Sequence, residues 1–342
     1  MNSWMEAGQM WPAFFLLFLC AFTATFLVLP KLIGRMKKRG LVGKDMNKAG
    51  MPEIPELGGI AVWLGFSSAI MLSIFFYSYL QSFFPFEMNL TILLAGFATI
   101  AMVGFLGLMD DLLGWKDGIR QWQHALIPMF AALPLMAINI DNPPFYIPLV
   151  GYVGFGIYYS LLLVPAGITG ASNAANMLAG FNGLEAGLGL MIISTLTAIA
   201  LYSGSIEAVI IGLALMGALL AFLRLNWFPA KVFGGDSLTL MVGAGIATMA
   251  IVGDLEKIGI LLMALFFVEL IFKARHKFQS ECFGIPQKDG TLKADPKGGS
   301  LTQWVMRRGR FTETKVVLII LGMQAIICIT VFLLSYFQKI YI

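Results

Sequence analysis

The sequence is poor in the residue types that cover the surface of water-soluble enzymes. Only 12% of its 342 residues are charged, whereas 58% are hydrophobic, and the mean hydropathy is +0.83. A chain of this size cannot bury so much apolar surface in a water-soluble core, so the composition indicates an integral membrane protein. The net charge of +4 does not indicate nucleic-acid binding, because the basic residues are confined to segments between apolar stretches.

Histidine and cysteine are also scarce. The two histidines, His124 and His276, lie far apart, which excludes a local histidine metal motif. Three cysteines, Cys20, Cys282 and Cys328, show neither metal-ligand nor disulfide-framework spacing. The first apolar stretch has no preceding basic residue and no small-residue cleavage site after it, so we interpret it as a retained membrane helix.

Long apolar stretches predict an all-α protein, a single membrane domain over residues 1–342 with about ten transmembrane helices. They lie near 11–30, 58–82, 89–109, 124–140, 150–168, 186–203, 206–223, 237–253, 257–273 and 316–338. Glycines and Pro165 interrupt the fifth stretch, which predicts a kinked or broken helix.

The basic residues lie almost entirely in alternate connectors. We number the connectors between consecutive apolar stretches from the amino terminus. The odd-numbered connectors contain 21 of the 23 Lys and Arg residues, and only Lys257 and Lys339 fall elsewhere. The positive-inside rule therefore places the odd connectors in the cytoplasm and both termini outside. The polar residues suited to chemistry lie in the same connectors, which favours a cytoplasmic-face active site; a transporter or lipid flippase is the alternative.

Two adjacent acids, Asp110 and Asp111, end the third apolar stretch. The helix dipole disfavours negative charge at a carboxyl end, so a divalent cation or the nearby Lys116 and Arg120 must compensate. Close carboxylates also raise one pKa, as a general base requires. A solvated pair at the membrane boundary is the alternative, but the candidate functional residues in the other odd-numbered connectors favour a catalytic role.

The third odd connector contains amides and glycines but no basic residue. Asn173 and Asn176 are three positions apart, so they share one face of a helical turn, and amide oxygens are suitable ligands for Mg²⁺. Gly180 and Gly183 permit a tight turn beside a ligand. Helix capping explains a single Asn better, whereas the whole cluster favours a ligand site. Asp236, after two glycines, suits helix capping and metal or phosphate binding equally well.

The first and last odd connectors also contain candidate ligand-binding segments. Lys44 to Glu56 mixes Lys, Asp and Gly, which suits a phosphorylated ligand, whereas the basic segment Lys31 to Arg39 suits anionic lipid headgroups. Residues 274–315 form a long cytoplasmic connector in which Asp289 and Gly290 predict a hairpin turn. Such a hairpin would act as a flap over a headgroup or sugar.

Five motifs together resemble the polyprenyl-phosphate N-acetylhexosamine-1-phosphate transferase family, a glycosyltransferase family 4 type, from about residue 40 to 290. They are Gly43-Lys-Asp-Met-Asn-Lys48, Ile54-Pro-Glu-Leu-Gly-Gly59, Met109-Asp-Asp-Leu-Leu-Gly114, Asn173 to Gly187, and Val232-Phe-Gly-Gly-Asp-Ser237. The segment Asn182-Gly-Leu-Glu-Ala-Gly187, within the fourth of these motifs, is similar to that of the archaeal and eukaryotic enzymes that act on dolichyl phosphate. The three-histidine motif of the bacterial peptidoglycan branch is missing.

The resemblance implies transfer of N-acetylhexosamine 1-phosphate, with GlcNAc expected, from a UDP-sugar to a polyprenyl or dolichyl phosphate in the plasma or endoplasmic reticulum membrane. Asp110 and Asp111 would be catalytic, and Asn176 and Asp236 would hold Mg²⁺, for which Mn²⁺ could substitute. The substrate-binding positions would be Lys44, Asp45, Asn47, Lys48, Glu56, Lys116, Arg120, His124, Asn173, Asn182, Glu185 and Ile285. Membrane lipids are expected partners, and a homodimer is left open.

Two positions depart from the family pattern. His124 stands where family members carry Lys, which weakens the expected phosphate contact there. Phe283 and Gly284 replace the His-Arg of the eukaryotic His-Arg-Ile-Pro signature. Another UDP-N-acetylhexosamine is therefore the alternative donor.

Overall fold

The computed structural model describes residues 3–81, 87–117, 126, 128–138, 145–147 and 151–337. Arg120, His124, the side chain of Lys116 and residues 125, 127, 139 and 140 of the predicted fourth span lie outside the described residues. The described chain is mostly helical, as predicted, with three small antiparallel strand pairs in addition.

The helices are α1 (Ser3–Arg39), α2 (Gly59–Tyr79), α3 (Leu90–Asp117), α4 (Leu133–Ala137), α5 (Val164–Met177), α6 (Leu184–Ser203), α7 (Ile206–Asn226), α8 (Asp236–Val252), α9 (Glu256–Leu262), α10 (Ala264–Arg275), α11 (Leu301–Met306) and α12 (Glu313–Tyr336). A π-helical turn, Tyr159–Leu163, precedes α5. The strand pairs are β1 (Val42–Lys44) with β2 (Glu53–Pro55), β3 (Phe145–Ile147) with β4 (Gly151–Val153), and β5 (Ile285–Pro286) with β6 (Leu292–Lys293).

Six helices among the described residues are long and apolar enough to cross a membrane. They coincide with the first, second, third, sixth, seventh and tenth predicted spans, at Met10–Arg39, Gly59–Tyr79, Leu90–Leu112, Leu184–Ser203, Ile206–Asn226 and Glu313–Tyr336. The eighth predicted span is the apolar helix α8, which has 17 residues. The ninth is divided at Met263 into α9 and α10, so ten continuous spans remain a prediction.

The fifth predicted span differs in its bounds. Its first residues, Gly151–Val153, form strand β4, and the helix that follows contains the π-helical turn before it continues as α5 to Met177. The predicted irregularity is thus a π-helical insertion, which widens the helix locally without interrupting it.

The helix α8 is the centre of the bundle. It packs against α3, α5, α6, α7 and α2, and all 15 residues from 237 to 251 are buried. A helix that is apolar on every face can be surrounded by lipid or by other helices, and α8 is surrounded by other helices. Glycines permit this closeness: a Cβ on Gly107 of α3 would lie 2.5 Å from the Asp236 carbonyl oxygen, and one on Gly243 would lie 2.3 Å from the Ala171 carbonyl oxygen.

The long last connector is folded against the bundle. The predicted hairpin is present: Ile285 pairs with Lys293, and Asp289 Oδ1 accepts a hydrogen bond of 3.0 Å from Thr291 N at the turn. The connector also contains α11, whose residues are mostly buried, and Gln303 there is 1% exposed. The part of the connector around α11 therefore packs into the protein, whereas the hairpin turn is exposed.

Candidate active site

The described parts of the odd-numbered connectors meet at one end of the helix bundle. The first and fourth are joined through main-chain hydrogen bonds, from Gly58 N to Phe233 O at 2.8 Å and from Gly59 N to Gly234 O at 2.9 Å. A Cβ on Gly59 would lie 2.6 Å from Leu238 N, so the approach requires glycine there. The residues predicted from separate motifs are in this way brought to one region.

Asp111 joins the second and fourth connectors. Its Oδ1 accepts a hydrogen bond of 2.7 Å from Asp236 N, and its Oδ2 accepts one of 3.0 Å from Ser237 N. These are orphan donors at the amino end of α8, where the dipole favours a carboxylate. Gly235, with φ of +71°, leaves the necessary room, because a Cβ there would lie 2.5 Å from Asp111 Oδ2.

The prediction that Asp110 and Asp111 end a helix is wrong. Helix α3 continues to Asp117, so neither acid faces the carboxyl end of its own helix. The charge of Asp111 is instead accommodated by another helix's amino end. Asp110 is partly buried beside it and takes part in interactions of its own.

Asn176 belongs to the last turn of α5, so Asn173 and Asn176 lie on a helix, as their spacing suggested, and not in an open connector. Asn176 Oδ1 accepts a hydrogen bond of 3.1 Å from Thr239 Oγ1 in α8, which points this amide toward the start of α8. Asn173 Nδ2 donates to Thr169 O of its own helix at 2.8 Å. Asn176 lines the same cleft as Asp236, whereas Asn173 is not among the residues that line it.

A cleft of about 210 Å³ opens between these elements. Its lining includes Lys44, Asp45, Glu56, Asn176, Gly180, Glu185, Phe233, Asp236, Thr239 and Phe283. Lys44 is exposed, whereas Glu56 is partly buried. Burial, and to a smaller extent the nearby negative charge of Asp236, raises the pKa of Glu56 above its usual value. Gly43 lies against this carboxylate, since a Cβ there would be 2.7 Å from Glu56 Oε1.

The donor atoms at the cleft fit a hard divalent cation. Glu56 and Asp236 supply carboxylates and Asn176 an amide oxygen, which are the ligand types that Mg²⁺ prefers. Among the described residues, no three His, Cys, Asp or Glu side chains form a group that could hold a metal ion. Mg²⁺ sites that process phosphates commonly use one or two carboxylates and take further ligands from the substrate, so the residues present fit such a partial site.

Four side chains form a second, mostly buried cluster beside the cleft, which we call the buried network: Asp45, Lys48, Asn182 and Glu313. Asp45 also contributes to the lining of the cleft. Lys48 Nζ bonds to Asp45 and donates to Asn182 Oδ1 at 2.8 Å, and Asn182 Nδ2 donates to Asp45 Oδ2 at 3.2 Å. Asp45, Asn182 and Glu313 are each at most 4% exposed. The predicted substrate-binding residues Asp45, Lys48 and Asn182 therefore bind chiefly to one another.

Asn47 connects the first connector to the third and fifth. Its Nδ2 donates to Gly180 O at 2.8 Å, and its Oδ1 accepts from Gly284 N at 2.9 Å. Glu185, in turn, accepts a hydrogen bond from Gly180 N and lines the cleft. Ile285 is exposed on strand β5 and is not among the residues that line the cleft.

Several residues of the site were missed in the sequence. Thr239 and Phe283 line the cleft, and Glu313 completes the buried network. Phe283 was noted only as a departure from a motif, although Gln303 Nε2 fixes its carbonyl oxygen at 2.6 Å. Glu313 sits in the first turn of an apolar helix, where an acid looks like an ordinary helix-end residue, so no local signal identified it.

Comparison with known proteins gives concordant results. The sequence profile described as glycosyl transferase family 4 matches residues 90–254. A Saccharolobus solfataricus protein with the provisional name UDP-N-acetylglucosamine–dolichyl-phosphate N-acetylglucosaminephosphotransferase is 36% identical over 93% of this chain and 95% of that protein. The Schizosaccharomyces pombe protein with the same name, not marked provisional, is 27% identical over 74% of this chain and 64% of its own length. A Latilactobacillus sakei phospho-N-acetylmuramoyl-pentapeptide-transferase is 30% identical over 72% of this chain and 78% of that protein.

Proposed function

Because this chain belongs to glycosyl transferase family 4 and is a membrane transferase, we propose that it moves N-acetylglucosamine 1-phosphate from UDP-GlcNAc to a dolichyl-type polyprenyl phosphate and releases UMP. The observation that carries the proposal is the cleft in which Lys44, Asn176 and Asp236 come together from three separate segments of the chain. An ammonium group and hard oxygen donors are what a nucleotide pyrophosphate requires.

The sugar is proposed from the names of relatives. The Saccharolobus solfataricus protein, which matches nearly the whole chain, carries the dolichyl-phosphate name, whereas the peptidoglycan-type relative matches a smaller part. Another UDP-N-acetylhexosamine is the alternative donor, because Phe283 and Gly284 stand in place of the eukaryotic His-Arg pair. The transporter alternative is not supported, since each relative reported above is named as a transferase.

The proposed reaction is a direct displacement. An oxygen of the lipid phosphate attacks the β-phosphorus of the UDP-sugar, a new P–O–P bond forms, and the bond to the α-phosphate oxygen breaks so that UMP leaves with its electron pair. Both oxygens of Asp111 hold the amino end of α8, which makes Asp111 a positioning residue. We propose that Asp110, the neighbouring acid of the same motif, keeps the lipid phosphate deprotonated.

Asn176 and Asp236 would hold Mg²⁺, or Mn²⁺ in its place, with Glu56 near the same region. When bound, the cation would supply positive charge to the pyrophosphate oxygens on which negative charge develops. Lys44 provides a second positive charge at the exposed rim of the cleft. The buried network keeps the first and third connectors together beside this cleft.

We further propose that the chain has ten spans, with the cleft at the cytoplasmic face of a plasma or endoplasmic reticulum membrane and both termini outside. The concentration of Lys and Arg in the connectors that form the cleft supports this orientation. The exposed basic end of α1, with Lys31, Arg35 and Lys38, suits the headgroup layer of anionic lipids.

Purified protein incubated with UDP-GlcNAc tests the function. UMP should appear only when both a polyprenyl phosphate and a divalent cation are present, and EDTA should abolish its release. Parallel reactions with UDP-GalNAc, and with dolichyl or undecaprenyl phosphate, identify the donor and carrier. Transport of a UDP-sugar without its cleavage would contradict the proposal, and a stoichiometric burst of UMP without acceptor would replace direct displacement with a covalent route.

A further inference from the structure

Glu313 occupies an unusual position for an acid at the start of an apolar helix. It begins α12, yet only 4% of it is exposed, and it faces the connectors of the cleft. Burial of a carboxylate is costly unless it is paired with a cation or accepts hydrogen bonds. The groups that contact Glu313 therefore indicate which part of the structure this buried carboxylate stabilises.

The two oxygens of Glu313 face two different connectors. Oε1 accepts a hydrogen bond of 2.9 Å from Asn182 N, in the third connector. Oε2 lies 3.9 Å from Lys48 Nζ, in the first, and accepts no hydrogen bond from the described part of the chain. The carboxylate thus fixes the main chain at Asn182 while it also attracts the lysine whose ammonium group contacts the Asn182 side chain.

Asn182 in turn contacts more than one connector. Its Oδ1 accepts from Ala230 N at 2.7 Å, so the fourth connector is held as well. Phe228, close by in the same connector, has its ring centroid 4.9 Å from Lys48 Nζ. Glu313 is therefore linked, directly or through Asn182 and Lys48, to segments of three connectors that contribute residues to the cleft.

We propose that Glu313 is a positioning residue for the uridine diphosphate end of the donor, acting through Lys48 and Asn182. Glu313 does not line the cleft, so it would not touch the substrate. The carboxylate keeps the first and third connectors at the spacing that a bound UDP needs. The inference depends on the proposed function for its kinetic readout, but UDP binding tests it independently of catalysis.

Two substitutions separate the contributions. Glu313→Gln keeps an oxygen that can accept from Asn182 N but removes the charge that faces Lys48, whereas Glu313→Ala removes both. We expect KM for the UDP-sugar to rise about tenfold in Glu313→Gln and further in Glu313→Ala, with a smaller change in kcat. The Kd for UDP, measured by titration calorimetry, should rise in the same order.

Glu281→Gln is the matched control, because Glu281 is an exposed acid of the adjacent connector, and it should leave KM unchanged. Melting curves show which variants are folded; if Glu313→Ala is not, the near-isosteric Glu313→Gln decides. Wild-type KM and UDP affinity in folded Glu313→Gln would overturn the inference, as would a fall in kcat alone. A wild-type protein that binds UDP but releases no UMP would contradict the proposed function without contradicting this role of Glu313.

Discussion

The open cleft and the buried network lie side by side, yet their polar groups meet opposite requirements. Lys44 and Asp45 are neighbours in the sequence, but Lys44 is exposed at the cleft whereas Asp45 is 2% exposed and bound to Lys48. Groups at the cleft can exchange water for a ligand. Groups in the network must satisfy one another, because an unpaired buried polar group costs about 1–3 kcal/mol.

This difference shows that neighbouring residues of one sequence motif can have different roles, one in ligand binding and the other in stability. Substitutions at the cleft should impair binding or chemistry and leave folding almost intact, whereas substitutions in the network should lower both stability and activity. Asp111 shares features of both regions, since it is close to the cleft but both its oxygens bind main-chain groups.

The largest effect is expected at Asp236, the acid proposed to hold the cation. Asp236→Asn should lower kcat about 10²- to 10³-fold, because a carboxylate ligand close to the developing charge is lost. Stability should change little, since an acid in the first turn of a helix contributes only about 0.3–1 kcal/mol. UMP release and melting temperature measure the two effects, and wild-type turnover in this variant would show that the cleft is not the catalytic site.

Asp111→Ala should lower stability and activity together. The substitution leaves the N–H groups of Asp236 and Ser237 without their acceptor, at a cost of about 1–3 kcal/mol in the free energy of unfolding. Asp111→Asn retains one acceptor oxygen and should fall between wild type and Asp111→Ala. A stable but inactive Asp111→Ala protein would instead indicate that Asp111 acts directly in catalysis.

The neighbours Lys44 and Asp45 offer the sharpest test of the comparison. Lys44→Met should raise KM for the UDP-sugar without lowering the melting temperature, because Lys44 is exposed at the cleft. Asp45→Asn should lower the free energy of unfolding by about 1–3 kcal/mol, since Lys48 loses its charged partner. The same two measurements apply to both variants, and a matching pattern in the two would remove the distinction drawn here.

The smallest effect concerns pH and Glu56. Its folded-state pKa lies above the ordinary value of 4.5, so the folded protein binds this proton more tightly, and the free energy of unfolding falls as pH rises above 4.5. Glu56→Gln should therefore be slightly more stable than wild type at about pH 8 and equal to it at about pH 4. Melting curves without divalent cations test this, and a stability gain greater at low pH would contradict the assigned direction.

Much of the site could be predicted because its residues occur in short polar motifs between apolar stretches. Asp111, Asn176 and Asp236 were identified in this way, and their connectors do meet. The role of Asp111 could not be predicted, because its partners belong to a helix 125 positions away. Glu313 escaped for the same reason, since the contact with Asn182 joins residues 131 positions apart.

The helix pattern was easier to predict than the helix bounds. Hydropathy identified six long helices, but it could not show that α3 extends through Asp110 and Asp111 to Asp117. Nor could it show the division of α9 from α10 at Met263, because the residues on both sides are uniformly apolar. Packing against neighbouring helices decides such bounds, and a single sequence does not contain that information.

Because α8 is enclosed by other helices, the position of Asp236 along the membrane normal should not depend directly on the thickness of the bilayer. Exposed apolar side chains such as Phe15, Ile326 and Ile329 belong to α1 and α12, whereas residues 237–251 are covered by protein. Mismatch with thin or thick lipids should therefore be absorbed by tilting of the outer helices. We expect kcat to vary little between bilayers of short and long acyl chains, and turnover in such vesicles measures this.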